Sequence, residues 1–132
     1  MLKIDAYVAK IARAHPGIRE IWLFGSRAKG PAHPKSDWNL FVFADDDTLQ
    51  QLGKSLQFRR GDVQLLVVRD GDEFREPWGA NPKQGYLSEW EWVKISDREA
   101  QYCGIKWAQE EKGGQTAMEL CKAIRLWPME KQ

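Results

Sequence analysis

Three shortages narrow what this sequence can be. Only two cysteines occur, Cys103 and Cys121, and they form neither a CxxC pair nor a ligand cluster with His15 or His33. That argues against a disulfide framework and a thiolate metal site, and buried reduced thiols are expected. Long apolar runs are lacking as well. No window approaches the roughly 18 consecutive apolar residues of a membrane span. The opening MLKIDAYVAK scatters charges where a signal peptide would be apolar, so a cytoplasmic protein is the default. An excess of charge of one sign is the third shortage. Twenty Lys and Arg against nineteen Asp and Glu give a net charge of +1. No global field draws the chain to nucleic acid or membrane, and any anion affinity must be local.

What is present is ordinary apart from tryptophan. The chain has 132 residues, enough for one domain (1–132) with a core of its own, and 42% are hydrophobic. Seven tryptophans suggest aromatic-rich packing or exposed ring surfaces. No internal repeat or low-complexity segment appears.

Residues 2–14 read as an amphipathic helix with Ile4, Val8, Ile11 and Ala12 on one face, ended by His15-Pro16-Gly17. Residues 18–24, IREIWLF, read as a strand. Ser26 is a good N-cap for a short helical turn over residues 27–29, and a loop runs to Lys35. A second strand covers residues 37–43. Asp45-Asp46-Asp47 can cap a helix carrying Leu49 and Leu52. Residues 62–68, DVQLLVV, form a third strand. Residues 69–85 read as irregular, 87–95 as a fourth strand, and 97–112 as either helix or strand. Thr116 and Glu119 match a capping box before a final helix with Ala117, Leu120, Cys121, Ile124 and Trp127 on one face. The order predicts a small α/β or α+β domain: a mixed sheet with helices packed on it.

The chemistry concentrates between the first two strands, in FGSRAKGPAHPKSDWNLFVF. A strand that ends in Gly25-Ser26 and enters a helical turn presents free N–H groups that suit an anion, phosphate above all. Gly25 leaves room for its approach. Ser26 adds a hydroxyl, and Arg27, Lys29 and Lys35 add positive charge. Residues 37 and 39 share a strand face, their Cα atoms about 7 Å apart. Two carboxylates there could hold two divalent ions about 4 Å apart, the spacing for in-line phosphoryl chemistry. Asp62, opening the next strand, is the candidate third carboxylate.

LFGSRAKG, the loop, SDWNLFVF and DVQLLVV together resemble the minimal nucleotidyltransferases of the polymerase-β-like superfamily. The resemblance covers residues 18–68; the extension over residues 87–128 carries no motif of that family. It implies a mixed sheet and transfer of a nucleoside monophosphate from an NTP to a hydroxyl with two Mg2+ ions. It further implies that Gly25 and Ser26 hold the triphosphate, with the charges of Arg27 and Lys29 beside them as cofactor-binding candidates, and that Asp37 is the first metal ligand. Asp62 becomes the catalytic carboxylate, a ligand that also activates the acceptor. Asn39 stands where the second metal-binding Asp belongs.

An amide oxygen can ligate Mg2+ but brings no charge. Two carboxylates would then face two dications that repel each other. Asp45, about 26 Å along the strand from Asp37, is too far to compensate. Glu89 or Glu91 could approach only if the fourth strand lies beside the third. Two readings stay open: a catalytically impaired nucleotide- or protein-binding module, or a weak transferase using Asn39 as a neutral ligand. Many minimal nucleotidyltransferases resemble the antitoxin of a toxin–antitoxin pair, which adds an all-helical, toxin-like protein partner to the expectation. Trp90 and Trp92, alternating on a strand, are expected to pack rather than to stack on bases.

Overall fold

The computed structural model describes residues 2–28, 36–69, 71–107 and 116–128. Helix α1 spans Ile4–Ala14, and its buried residues include Tyr7, Val8, Ile11 and Ala12, the apolar stripe of the sequence. The Tyr7 hydroxyl donates to the Phe58 carbonyl at 2.7 Å, and burial pushes its pKa well above the ordinary phenol value. Strand β1 covers Glu20–Phe24 and β2 covers Trp38–Phe43. Helix α2, Asp46–Gly53, begins at an Asp45 cap whose carboxylate accepts the Thr48 N–H at 2.8 Å. A hydrogen bond from the Thr48 side chain, and after it the one from the Thr48 N–H, favours the ionised form and lowers the Asp45 pKa. Strand β3 follows at Val63–Arg69.

The later strands are β4 (Glu73–Arg75), β5 (Gln84–Tyr86), β6 (Val93–Lys94), β7 (Glu99–Trp107) and β8 (Thr116–Trp127). All eight join one sheet in the order β5-β4-β3-β2-β1-β8-β7-β6. β2 and β3 run parallel in the register Trp38↔Val63 to Phe43↔Val68, and the other pairings are antiparallel. The parallel pair needs a crossover, and α2 supplies it.

The sheet is apolar on both faces, which is why its central strands read as unbroken hydrophobic runs. One face joins Ile21, Leu23, Leu40, Val42, Leu65 and Val67 to the buried residues of α1 and α2. Trp38 packs against this side, as expected of a residue facing away from Asn39. The other face holds Trp22, Phe24, Phe41, Leu66, Val68, Phe74 and Tyr102, with Trp90 and Trp92 against them. Here the rings pack on one another. Phe24 stacks on Phe41 at 4.1 Å, and Trp90 meets Phe41 edge-on at 5.4 Å. Three of the seven tryptophans, Trp22, Trp90 and Trp92, thus pack on this face.

Three expectations fail in the second half. The final helix is strand β8, and the Thr116–Glu119 capping box lies inside it. Its burial alternates, Cys121 and Ala123 inward against an exposed Leu120, and pairing with both β1 and β7 overrides the local helical spacing. The fourth strand over residues 87–95 is instead a 3-10 turn, Leu87–Trp90, then Glu91 in the left-handed region (φ 55°), then short β6. That bend folds Trp90 and Trp92 back onto the aromatic face. The irregular stretch 69–85 contains β4 and part of β5, and the ambiguous 97–112 contains β7.

Phe41 has no exposed surface and sits at the centre of the aromatic face. Phe41→Ala should cost about 3–5 kcal/mol in urea unfolding. A loss below about 1 kcal/mol would mean that these rings do not form one packed cluster.

Candidate functional site

β1 delivers the chain to Gly25, which turns it with φ +82° into a 3-10 turn, Ser26–Ala28. The Ala28 N–H donates to the Gly25 carbonyl at 3.0 Å and closes the turn. Left-handed backbone favours glycine, and a second constraint is steric: a Cβ here would collide with Nδ2 of Asn39. On its amide side, the Gly25 N–H donates to the Tyr102 hydroxyl at 2.9 Å. Tyr102 is 4% exposed and comes from β7, 77 residues away. Gly25 therefore lies between two polar groups of the protein itself.

Ser26 is exposed. Arg27 is engaged locally: its Nε donates to the Ser36 carbonyl at 2.9 Å, and its guanidinium lies 4.2 Å over the Trp38 ring. This clip joins the two ends of the loop and buries Arg27 in part. Lys29, like His33 and Lys35, lies outside the described residues.

Asp37 is exposed just before β2, and Asn39 is half-buried within it. Leu40 and Val42 point to the helical face, so Asn39 shares the aromatic face with Phe41. On β3 the same alternation puts Gln64 with Leu66 and Val68. The parallel register sets Asn39 directly against Gln64, with Cα atoms about 4.8 Å apart. Two amide side chains thus occupy adjacent strands at one level and on one face.

Asp62 lies one residue before β3, where its carbonyl accepts the Trp38 N–H at 2.9 Å. One step back along the register, it stands level with Asp37. Its carboxylate takes a two-point contact from Arg60, Nε at 2.8 Å and Nη2 at 3.0 Å. This hydrogen bonding holds its pKa below the usual carboxylate range. Asp37 also lines an open cleft of about 610 Å3 with Arg59, Gln64, Glu76, Trp78 and Asn81, beside the part of β3 that β4 leaves unpaired. Among the described residues, no three His, Cys, Asp or Glu side chains converge as metal ligands would. Asp45 stands beyond the far end of β2, and Glu89 and Glu91 are exposed on the 3-10 turn and its left-handed end, whose Trp90 packs on the aromatic face.

Sequence reasoning missed Gln64 and Tyr102. A lone polar residue inside DVQLLVV was the available signal for the first. Tyr102 had none, because only the sheet brings β7 to Gly25.

Residues 7–71 match the family model described as polymerase beta, nucleotidyltransferase. Just under half of the chain thus resembles a nucleotidyltransferase domain. The matched residues contain α1 from Tyr7 onward, β1, the Gly25 turn, β2, α2 and β3, the elements that build the site. A protein from Sulfolobus solfataricus, described as a nucleotidyltransferase and solved as a crystal structure, is similar to this chain. The two share 24% identity over 52% of this chain and 65% of that one, with a TM-score of 0.41. No curated protein matches the sequence. No helix among the described residues is long and apolar enough to cross a membrane.

The Asp62–Arg60 contact makes a prediction of defined sign. The folded-state pKa of Asp62 is depressed, so its small, exposed contribution to stability is present at neutral pH and fades as pH falls through that pKa. Arg60→Ala should raise the Asp62 pKa toward the ordinary Asp value in a carboxyl NMR titration. An unchanged pKa would show that the ion pair does not persist in solution.

Proposed function

We propose that this protein is a nucleotidyltransferase-fold binding module in which transfer of a nucleoside monophosphate is lost. The observation that carries the reading is the Asn39–Gln64 pair, two neutral amides level with each other on adjacent strands. In-line phosphoryl chemistry with two metals sets two dications about 4 Å apart and needs concentrated negative charge between them. Asn39 and Gln64 supply lone pairs and no charge. Of the nearby acids, Asp37 is exposed and Asp62 is held by Arg60. This donor set does not fit a pair of magnesium ions, and no reaction step is derived through them.

The ligands that remain for such a module are a nucleoside triphosphate, through Gly25, Ser26, Arg27 and Lys29, and a helical protein of the toxin type. Co-purification of an all-helical partner from the native host is the observation that would favour the protein ligand. The alternative is a weak transferase that works with Asp37, Asp62 and a neutral Asn39. It draws on one fact: Asp62 and Asp37 stand at the same level of the parallel pair.

The test uses two charge-only substitutions, Asn39→Asp with Gln64→Glu. Mg2+ and the four common NTPs are titrated calorimetrically into wild type and double variant, and NMP transfer is assayed on the same samples. Wild type should show no transfer, and the double variant should bind Mg2+ at least about tenfold more tightly as ligand charge rises. Wild-type turnover would sink the binding-module reading. A double variant that folds and gains no Mg2+ affinity would show that these amides are not what weakens the metal site.

A further inference from the structure

The Gly25 amide stands where β1 gives way to the turn, the place that the proposed function gives to a phosphate. It already has an acceptor. The Tyr102 oxygen lies 2.9 Å from it, in the place a ligand oxygen would take. A surface hydroxyl could swing away within nanoseconds. Tyr102 cannot, because its ring is held on several sides. It stacks on Trp92 at 6.1 Å and 20°, lies 5.8 Å from Trp90 and meets Phe24 edge-on at 6.1 Å. Its backbone belongs to the β7–β8 ladder, paired with buried Cys121. On the other side of Gly25 stands the Asn39 amide, so the glycine has little room to move.

We propose that the Tyr102 hydroxyl is an internal latch on the Gly25 turn, filling the position of a phosphate oxygen and excluding a triphosphate until β7 and β8 shift. The proposal deepens the function proposed above and rests on its reading of Gly25-Ser26 as the triphosphate turn. The energetic logic is displacement. A triphosphate oxygen at Gly25 must first displace a part-buried hydrogen bond to a hydroxyl whose ring is packed in place. The ligand's gain at Gly25 is offset by that loss. A partner that moves β7 and β8 would remove the loss and raise triphosphate affinity, which couples partner and nucleotide binding in both directions.

Tyr102→Phe keeps the ring and removes only the hydroxyl. Inorganic triphosphate is the probe, titrated without Mg2+ so that neither base recognition nor the metal site enters. Calorimetry reads affinity, and the Gly25 amide resonance reads location. The variant should bind at least about tenfold more tightly than wild type, with the Gly25 resonance moving along the titration. Equal affinity in the two proteins overturns the latch. So does a folded variant that binds no triphosphate although its Gly25 resonance has moved on substitution. Should the variant not fold, Gly25 hydrogen exchange in wild type decides: strong protection supports the latch, and exchange at the rate of an open amide overturns it. Failure of the retired metal site is read separately, as NMP transfer by wild type. A latch can fail while that reading stands, and the reverse.

Discussion

The parallel ladder between β2 and β3 is the constraint on which the rest depends. It is the parallel pairing in an otherwise antiparallel sheet, and α2 has to cross over the sheet to make it. A parallel pair has no hairpin turn to set its register. The register comes from matching buried sets: Leu40 and Val42 with Leu65 and Val67 on one side, Phe41 with Leu66 and Val68 on the other. A slip of one residue would expose both sets to the wrong face, so the register is strongly specified. The same ladder then has no freedom about its polar end. Whatever follows Trp38 lies beside whatever follows Val63, and here these are an asparagine and a glutamine.

The two sheet faces are built by different means, and the difference bears on the site. The helical face is covered by α1 and α2, elements close in sequence to the strands they cover. The aromatic face is covered by the chain's second half, where the turn at Leu87–Trp90 and strands β7 and β8 bring in Trp90, Trp92 and Tyr102. Asn39, Gln64 and the Gly25 amide all lie toward that second face. The C-terminal extension is therefore a wall of the site, although it lies beyond the matched residues 7–71.

The legibility of the sequence divides along the same line. α1, β1, the Gly25 turn, β2, the Asp45-capped α2 and β3 could be read because each carries its own local signal. Ile4, Val8 and Ile11 recur at helical spacing, Asp45 stands before its helix, and DVQLLVV has few alternatives to a strand. β8 could not be read, since Leu120, Ile124 and Trp127 fit a helix as well, and β1, the strand along its other edge from β7, is distant in sequence. The level at which Asp62 stands was similarly hidden. It opens the third apolar run, yet a one-residue difference between where the run begins and where the ladder begins sets Gln64, not Asp62, against Asn39.

Under the proposed function, Asn39 and Tyr102 serve one physical end. A site that binds a metal–triphosphate must keep its amides open to water and its carboxylates close together, and both conditions oppose stability. Like charges repel, and exposed donors near a hydrophobic face forgo burial. Under the proposed loss of transfer no metal pair has to be held, and amides in place of carboxylates remove the repulsion. A hydroxyl on Gly25 satisfies the donor internally and lets the aromatic face close over it. The Asn39 amide flanks Gly25 on one side and the Tyr102 hydroxyl meets its N–H on the other, so the turn is enclosed by the protein's own polar groups. The exposed Asp37 and the Arg60-bound Asp62 lie outside this closed region, where retaining them costs the fold little.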